Sequence, residues 1–189
     1  MILTTMDFTN FFEHTSSIFS NHFSKGEIDI IMGYVEILAD ANFRCYRANM
    51  IVIEERKKAY VDAQLISDME WVARSVGEYR VSSKANINAY ISKIKSIRPI
   101  TVPESMSHDD IVYSIGEMMD RLSIETIKRV DFEVNNRPLQ MTESSLALSH
   151  RVRTYLIAKL EDIDYKGFYE CVPEQRTYEI EDIKKDLAI

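Results

Sequence analysis

Tyr113–Lys128 reads YSIGEMMDRLSIETIK, and its periodicity decides the fold. With Ile111, the residues Ile115, Met118, Met119 and Leu122 recur at the spacing of a helix laid against a core. The opposite face carries Tyr113, Glu117, Asp120, Ile124 and Lys128, with Arg121 at its edge. A helix back that meets only water is ordinarily polar throughout. This one mixes ionisable groups with an aromatic and an aliphatic side chain. The pattern therefore predicts a second contact surface or a cleft on that side.

Upstream, residues 98–106 (RPITVPESM) hold two of the four prolines and read as a loop. Ser107-His108-Asp109-Asp110 then resembles a capped helix start, with acids facing the positive helix end. Downstream, the helix is expected to reach about Asn136 and to stop before Pro138. Thr142 or Ser144 is expected to start the next helix, with Leu146, Leu148, Val152, Leu156 and Leu160 inside and Gly167 at its end.

Two proline-free runs come earlier. In 27–57, Ile28, Ile31, Val35, Leu38, Asn42, Cys45 and Asn49 follow the 3–4 spacing of a bundle seam. A seam amide such as Asn42 or Asn49 either fixes register through a hydrogen bond or contacts a ligand. In 58–97, Val61, Leu65, Asp68 or Met69, Val72, Val76 and Tyr79 make one stripe; Ile87, Tyr90, Ile91, Ile94 and Ile97 make another. Arg80-Val81-Ser82-Ser83 between them predicts an offset or kink. An unbroken helix over that run would be roughly 60 Å long. A kink, or a second subunit covering the exposed length, is therefore expected. At the start, Phe8, Phe11, Phe12, Ile18, Phe19 and Phe23 predict a short amphipathic helix capped by Asp7 or Thr9 and parted from the next by Gly26. Its rings dock on the chain's own core or on a second subunit.

A chain of 189 residues predicts one domain, 1–189, with a tail at 179–189 that forms a short helix or frays. Apolar residues at 46% exclude disorder for its bulk, and 5 glycines and 4 prolines are few for the turns of an all-β domain. The expected fold is all-α: a helical bundle with two long helices and two to three shorter ones. The net charge of −7 argues against a general grip on nucleic acid or on a membrane surface, while leaving room for a local basic pocket. Cys45 and Cys171 stand far apart, so neither a disulfide framework nor a zinc site is indicated. No leader and no membrane span are read, and a cytoplasmic setting is expected.

Chemistry is thinly signposted. His14, His22, His108 and His150 form no HxxxH or ExxH pair. His108-Asp109 matches the dipeptide of HD-type phosphohydrolases without their flanking spacings, and a helix cap is the stronger reading. Glu36 with Asp40, Glu54 with Glu55, and Glu117 with Asp120 are the kind of acidic pairs that hold Mg²⁺ between facing helices, but the two-helix set is incomplete. Surface i,i+4 ion pairs, Glu117–Arg121 and Glu125–Arg129, account for them as well. No metal site is assigned and the cofactor is left open. GxSxG, P-loop and GxGxxG patterns are absent from the sequence. What remains is a set of cations on core-bearing helices: Arg80, Arg121 and Lys128, with Arg44, Arg47 and Tyr46 near the seam asparagines. Packed side by side they would form a cationic-aromatic pocket for phosphate or carboxylate. Alternatively, each cation pairs with a neighbouring acid at the surface.

The ordered segments LADANFRCY (38–46), GEYR (77–80) and IGEMMDRLSIETIK (115–128) resemble an uncharacterised, domain-of-unknown-function family of all-helical bacterial and phage proteins. Its Gly-x-x-x-Asp-Arg-Leu-Ser-Ile-x-x-x-Lys motif is met by Gly116, Asp120, Arg121, Leu122, Ser123, Ile124 and Lys128. The first segment keeps Asn42, Phe43 and Tyr46, but has Ala48-Asn49-Met50 where an acidic pair often follows; the second keeps Arg80. The resemblance implies an all-helical fold. Through the sugar-transfer genes that often neighbour such proteins, it also implies nucleotide-sugar or glycan chemistry. It carries no established activity.

Two functions follow. The first is a helical enzyme or ligand-binding protein acting on a phosphorylated nucleotide or nucleotide sugar. Asp120 would be its catalytic residue, Arg80, Arg121 and Lys128 would hold phosphate, and Asn42 and Tyr46 would complete the site. The second is a non-enzymatic interaction protein, such as a phage-encoded inhibitor or assembly factor, that binds a partner with its long helices. Convergence of the six residues on one concave site favours the first; dispersal over the outer surface favours the second. A homodimer burying more than about 1,000 Å² is expected.

Overall fold

The computed structural model describes residues 8–95 and 114–161, which form helices and, among the described residues, no strand. The helices are α1 (Thr9–Ser20), α2 (Lys25–Glu55), α3 (Ala63–Lys95), α4 (Ile115–Val134) and α5 (Leu139–Glu161). This is an all-α bundle with two long helices. With 31 and 33 residues, α2 and α3 are about 46 and 50 Å long.

The helix boundaries follow local chemistry, in places differently from expectation. α1 begins after Phe8 without a side-chain cap, so Thr9 is its first helical residue. The break between α1 and α2 is not made by Gly26, which lies inside the first turn of α2. Instead the Glu27 carboxylate reaches back to accept the Ser24 backbone N–H at 2.7 Å, half of a capping box. α2 ends at Glu55, whose side chain accepts the Asp62 N–H at 3.0 Å; Asp62 in turn accepts the Leu65 N–H at 3.0 Å and caps α3.

α3 has no break at Arg80–Ser83. The polar run that suggested a kink is instead the part of the helix that faces inward, with Arg80, Ser83 and Lys84 all buried. α4 ends in a Schellman motif. Arg137 N donates to Phe132 O at 2.9 Å and Asn136 N to Glu133 O at 3.4 Å, with Asn136 left-handed at φ 49°. α5 starts at Leu139, directly after Pro138, rather than at Thr142 or Ser144.

α2 and α3 pack along one another as an antiparallel hairpin; α4 packs on both, α5 packs on α4, and α1 packs on α2. One core gathers Phe11 and Phe19, Ile31 and Leu38, Ile87 and Ile91, Met119 and Leu122, and Leu156 and Leu160, two from each helix in order. A smaller cluster joins Tyr46, Met50 and Ile53 of α2 to Ile127 and Phe132 of α4. The phenylalanines of α1 dock on the chain's own core, so α1 presents no Phe-rich face to a second subunit. Val61, Tyr79 and Leu146, expected inside, are exposed. Their sequence neighbours Arg80 and Ser145 turn inward instead, because each finds a carboxylate on α4.

α4 is therefore enclosed. From Met118 to Lys128 every residue except Arg121 is buried. The mixed back of this helix is a second helix-contact surface rather than an open cleft. The expected positions of Ile111, Tyr113, the 98–106 loop, the 107–110 helix start, Gly167, Cys171 and the 179–189 tail lie outside the described residues. No described helix is long and apolar enough to cross a membrane.

Candidate functional site

α4 carries buried carboxylates that each grip another helix. Asp120 faces the α2–α3 hairpin. Arg80 of α3 gives it a two-pronged bond, Nε to Oδ1 at 2.8 Å and Nη2 to Oδ2 at 2.7 Å. This fork geometry is the strong form of a guanidinium–carboxylate pair. From α2, Asn42 Nδ2 donates to Asp120 Oδ1 at 2.8 Å and to Ser123 Oγ at 2.7 Å. Ser123 Oγ donates back to the Asp120 carbonyl at 2.8 Å. The Asn42 amide is fully buried and its Oδ1 has no hydrogen-bond partner. Reversing the amide would turn that oxygen onto the Asp120 carboxylate, so the observed orientation is the favourable one.

The network continues toward the start of α4. Lys84 Nζ lies 2.8 Å from Glu117 Oε1 and 3.7 Å from Asp120 Oδ2. Asn88 then closes the row. Its Nδ2 donates to Ser114 Oγ at 2.9 Å, and its Oδ1 accepts the Gly116 N–H at 2.8 Å. Ser114 Oγ also accepts the Glu117 N–H at 3.2 Å and caps α4. Arg80, Lys84 and Asn88 thus form one i, i+4, i+8 row on α3 against α4.

Two further carboxylates sit lower on α4. Asp131 accepts the Tyr46 hydroxyl at 2.8 Å on Oδ2 and the Asn135 amide at 2.7 Å on Oδ1. Glu125 faces α5, where Ser145 Oγ donates to its Oε2 at 2.6 Å. Arg121 Nε stands 3.1 Å and Lys128 Nζ 3.8 Å from Glu125 Oε1, ion pairs without hydrogen-bond alignment.

The six residues expected to line one site are therefore divided. Asn42, Arg80 and Asp120 meet inside the bundle. Tyr46 is committed to Asp131, and Arg121 and Lys128 to Glu125. A shallow hollow of about 330 Å³ between α1 and α5, lined by Ser17, Ile18, Asn21, His22 and Ile157, includes none of the six. The expected surface pairs also change partners. Glu117 takes Lys84 instead of Arg121, and Glu125 takes Arg121 and Lys128 instead of Arg129. Sequence reading missed Lys84, Asn88, Ser123, Asp131 and Ser145 as network members. The four-residue spacing of Arg80, Lys84 and Asn88 was the available signal. Among the described residues, no group of His, Cys, Asp and Glu is placed to hold a metal ion.

The carboxylates titrate in opposite senses. Burial alone would push Asp120 up, but the bonds and charge of Arg80, the Lys84 ammonium and the Asn42 amide outweigh it and hold its pKa below the ordinary 3.8. At Asp131 burial wins over Tyr46, Arg137 and Asn135, and the pKa rises above 3.8. By linkage, the stability that Asp120 contributes is present above 3.8 and is lost as pH falls through its lowered value. The contribution of Asp131 is present below 3.8 and is lost as pH rises through its raised value. Asp131→Asn should therefore flatten the decline in stability on the alkaline side of 3.8. Urea midpoints measured from pH 3 to pH 7 would check this; an unchanged profile would mean Asp131 does not govern it.

No family model matches the chain, and comparison with curated proteins and with solved structures finds no match.

Proposed function

We propose that the chain is a non-enzymatic interaction protein that binds a protein partner through its long helices. One observation carries this reading: the cations suited to a phosphate are engaged by carboxylates of the same fold, Arg80 by Asp120 and Lys84 by Glu117. A phosphate entering there would have to displace a buried, hydrogen-bonded carboxylate and leave it unpaired, which costs several kcal/mol, about 3–5 by the usual measure. The long helices meanwhile expose large apolar side chains: Ile30 and Ile37 on α2 at 45% and 50%, Trp71 and Tyr79 on α3 at 66% and 63%. Exposed aromatic and aliphatic anchors of this kind are the usual source of binding energy between proteins. A homodimer would draw on the same side chains, because the phenylalanines of α1 pack on the chain's own core.

A thermal-shift series with nucleotides, nucleotide sugars and Mg²⁺ tests the reading. Saturation at a hundred times Kd would add about 2.7 kcal/mol and raise the melting temperature by roughly 5–10 °C for a chain of this size. We expect no such rise. A rise that Asp120→Asn abolishes would restore the ligand-binding reading in its place.

A further inference from the structure

We infer that the outward edge of α2 around Ile30, Gly33 and Ile37 docks an amphipathic helix of another protein, one with an apolar stripe flanked by lysine or arginine. The inference rests on the interaction-protein reading and names its surface and partner. Ile30 and Ile37 stand seven residues apart and thus on one side of α2, both about half exposed. Gly33 lies between them in the interior of a 31-residue helix, where glycine weakens helix formation. A side chain placed at Gly33 would meet nothing within 4 Å, so the described fold gains no packing from its absence. Two isoleucines around a bare backbone patch form a shallow seat of helix-in-groove type.

The margin of this seat selects the sign of the partner. Asp29 and Glu36, seven residues apart, line one margin of it, both exposed and, among the described residues, in no ion pair, while Asp40 is held by Arg44 at 2.8 Å. Across Thr9–Glu55, seven carboxylates outnumber three basic side chains. A second copy laid on the same edge would set Asp29 and Glu36 against their own counterparts. A cationic helix would neutralise them and bury the isoleucines at the same time.

The test is methyl NMR on the full chain, titrated with a synthetic leucine–lysine amphipathic helix and with its leucine–glutamate counterpart. The lysine peptide should saturably shift the Ile30 and Ile37 methyl signals, and the glutamate peptide should not. Gly33→Leu should weaken the lysine peptide by about tenfold or more without lowering the melting temperature, since it fills the seat but meets no neighbour. Asp29→Lys with Glu36→Lys should reverse the peptide preference. Equal binding of the two peptides, unchanged affinity in Gly33→Leu, or no binding at all would overturn the inference. Shifts confined to the α3 side around Trp71 would also overturn it, while leaving the interaction-protein reading intact. A homodimer broken by Gly33→Leu would assign the edge to a second copy instead.

Discussion

Arg80→Met is expected to destabilise the fold by about 3–5 kcal/mol and to lower the melting temperature by roughly 10 °C. The substitution nearly preserves length and apolar stem, so packing changes little. It leaves the Asp120 carboxylate buried at 4% exposure with its two-pronged partner gone. Lys84, 3.7 Å away, offers partial relief but is already committed to Glu117. Asp120→Leu reverses the situation and strands a guanidinium that is 8% exposed. The two single changes should each be costly. The double variant Arg80→Met/Asp120→Leu should recover most of the loss, because a buried ion pair replaced by apolar groups is often neutral. Urea denaturation of the four proteins closes the cycle. If both single variants stay within about 1 kcal/mol of the parent, the pair is hydrated and the description of a dry ionic core is wrong.

Gly116→Ala should cost about 2–3 kcal/mol, the upper part of the range for overpacking one carbon. Its Cβ would stand 2.5 Å from the Lys84 carbonyl oxygen and 3.1 Å from Asn88 Oδ1. The closer atom belongs to helix backbone and cannot swing aside, so α4 must lift from α3. Lifting stretches the Gly116–Asn88 bond and the Lys84–Glu117 pair together. Gly33→Ala is the internal control. The same added carbon meets nothing there and should gain up to about 1 kcal/mol through helix propensity alone. Denaturation midpoints at constant m-value separate the two outcomes. Equal effects at the two glycines would mean that α4 does not approach α3 as closely as described.

Much of the fold was legible because it rests on period. The α2 seam from Ile28 to Asn49 is buried at every position the 3–4 spacing selects. Asn42 stood out as a polar residue on the seam and Asp120 as one on the mixed back of α4, and the two meet, with Arg80, inside the bundle. The continuity of α3 was not legible. A polar row on a helix reads as solvent-facing or broken unless its acceptors are known, and those of Arg80 and Lys84 arrive from α4. The division of the six residues was legible in part. Asp120 and Arg121 are one residue apart and point about 100° away from each other on a helix. Lys128 lies about 12 Å further along it and about 80° round, and it turns to Glu125 rather than to Asp120. The partners of Tyr46 and Glu125 could not be read, since both depend on which helix lies opposite.

The enclosure of α4 has a consequence for rates. α2 and α3 are neighbours in sequence and can close as a hairpin early, whereas Asn42 and Asp120 are 78 residues apart and Arg80 and Asp120 are 40. Contacts so distant along the chain carry the larger loop-closure cost and are expected to form late. Asp120 and Arg80 are then expected to shed their water as α4 enters the groove, on the native side of the folding barrier. Stopped-flow mixing of Arg80→Met should accordingly show faster unfolding with refolding little altered; a slowed refolding limb would place the pair in the nucleus. On this view the charged interior of the bundle acts less as an organiser of folding than as a latch that determines how long the folded molecule lasts.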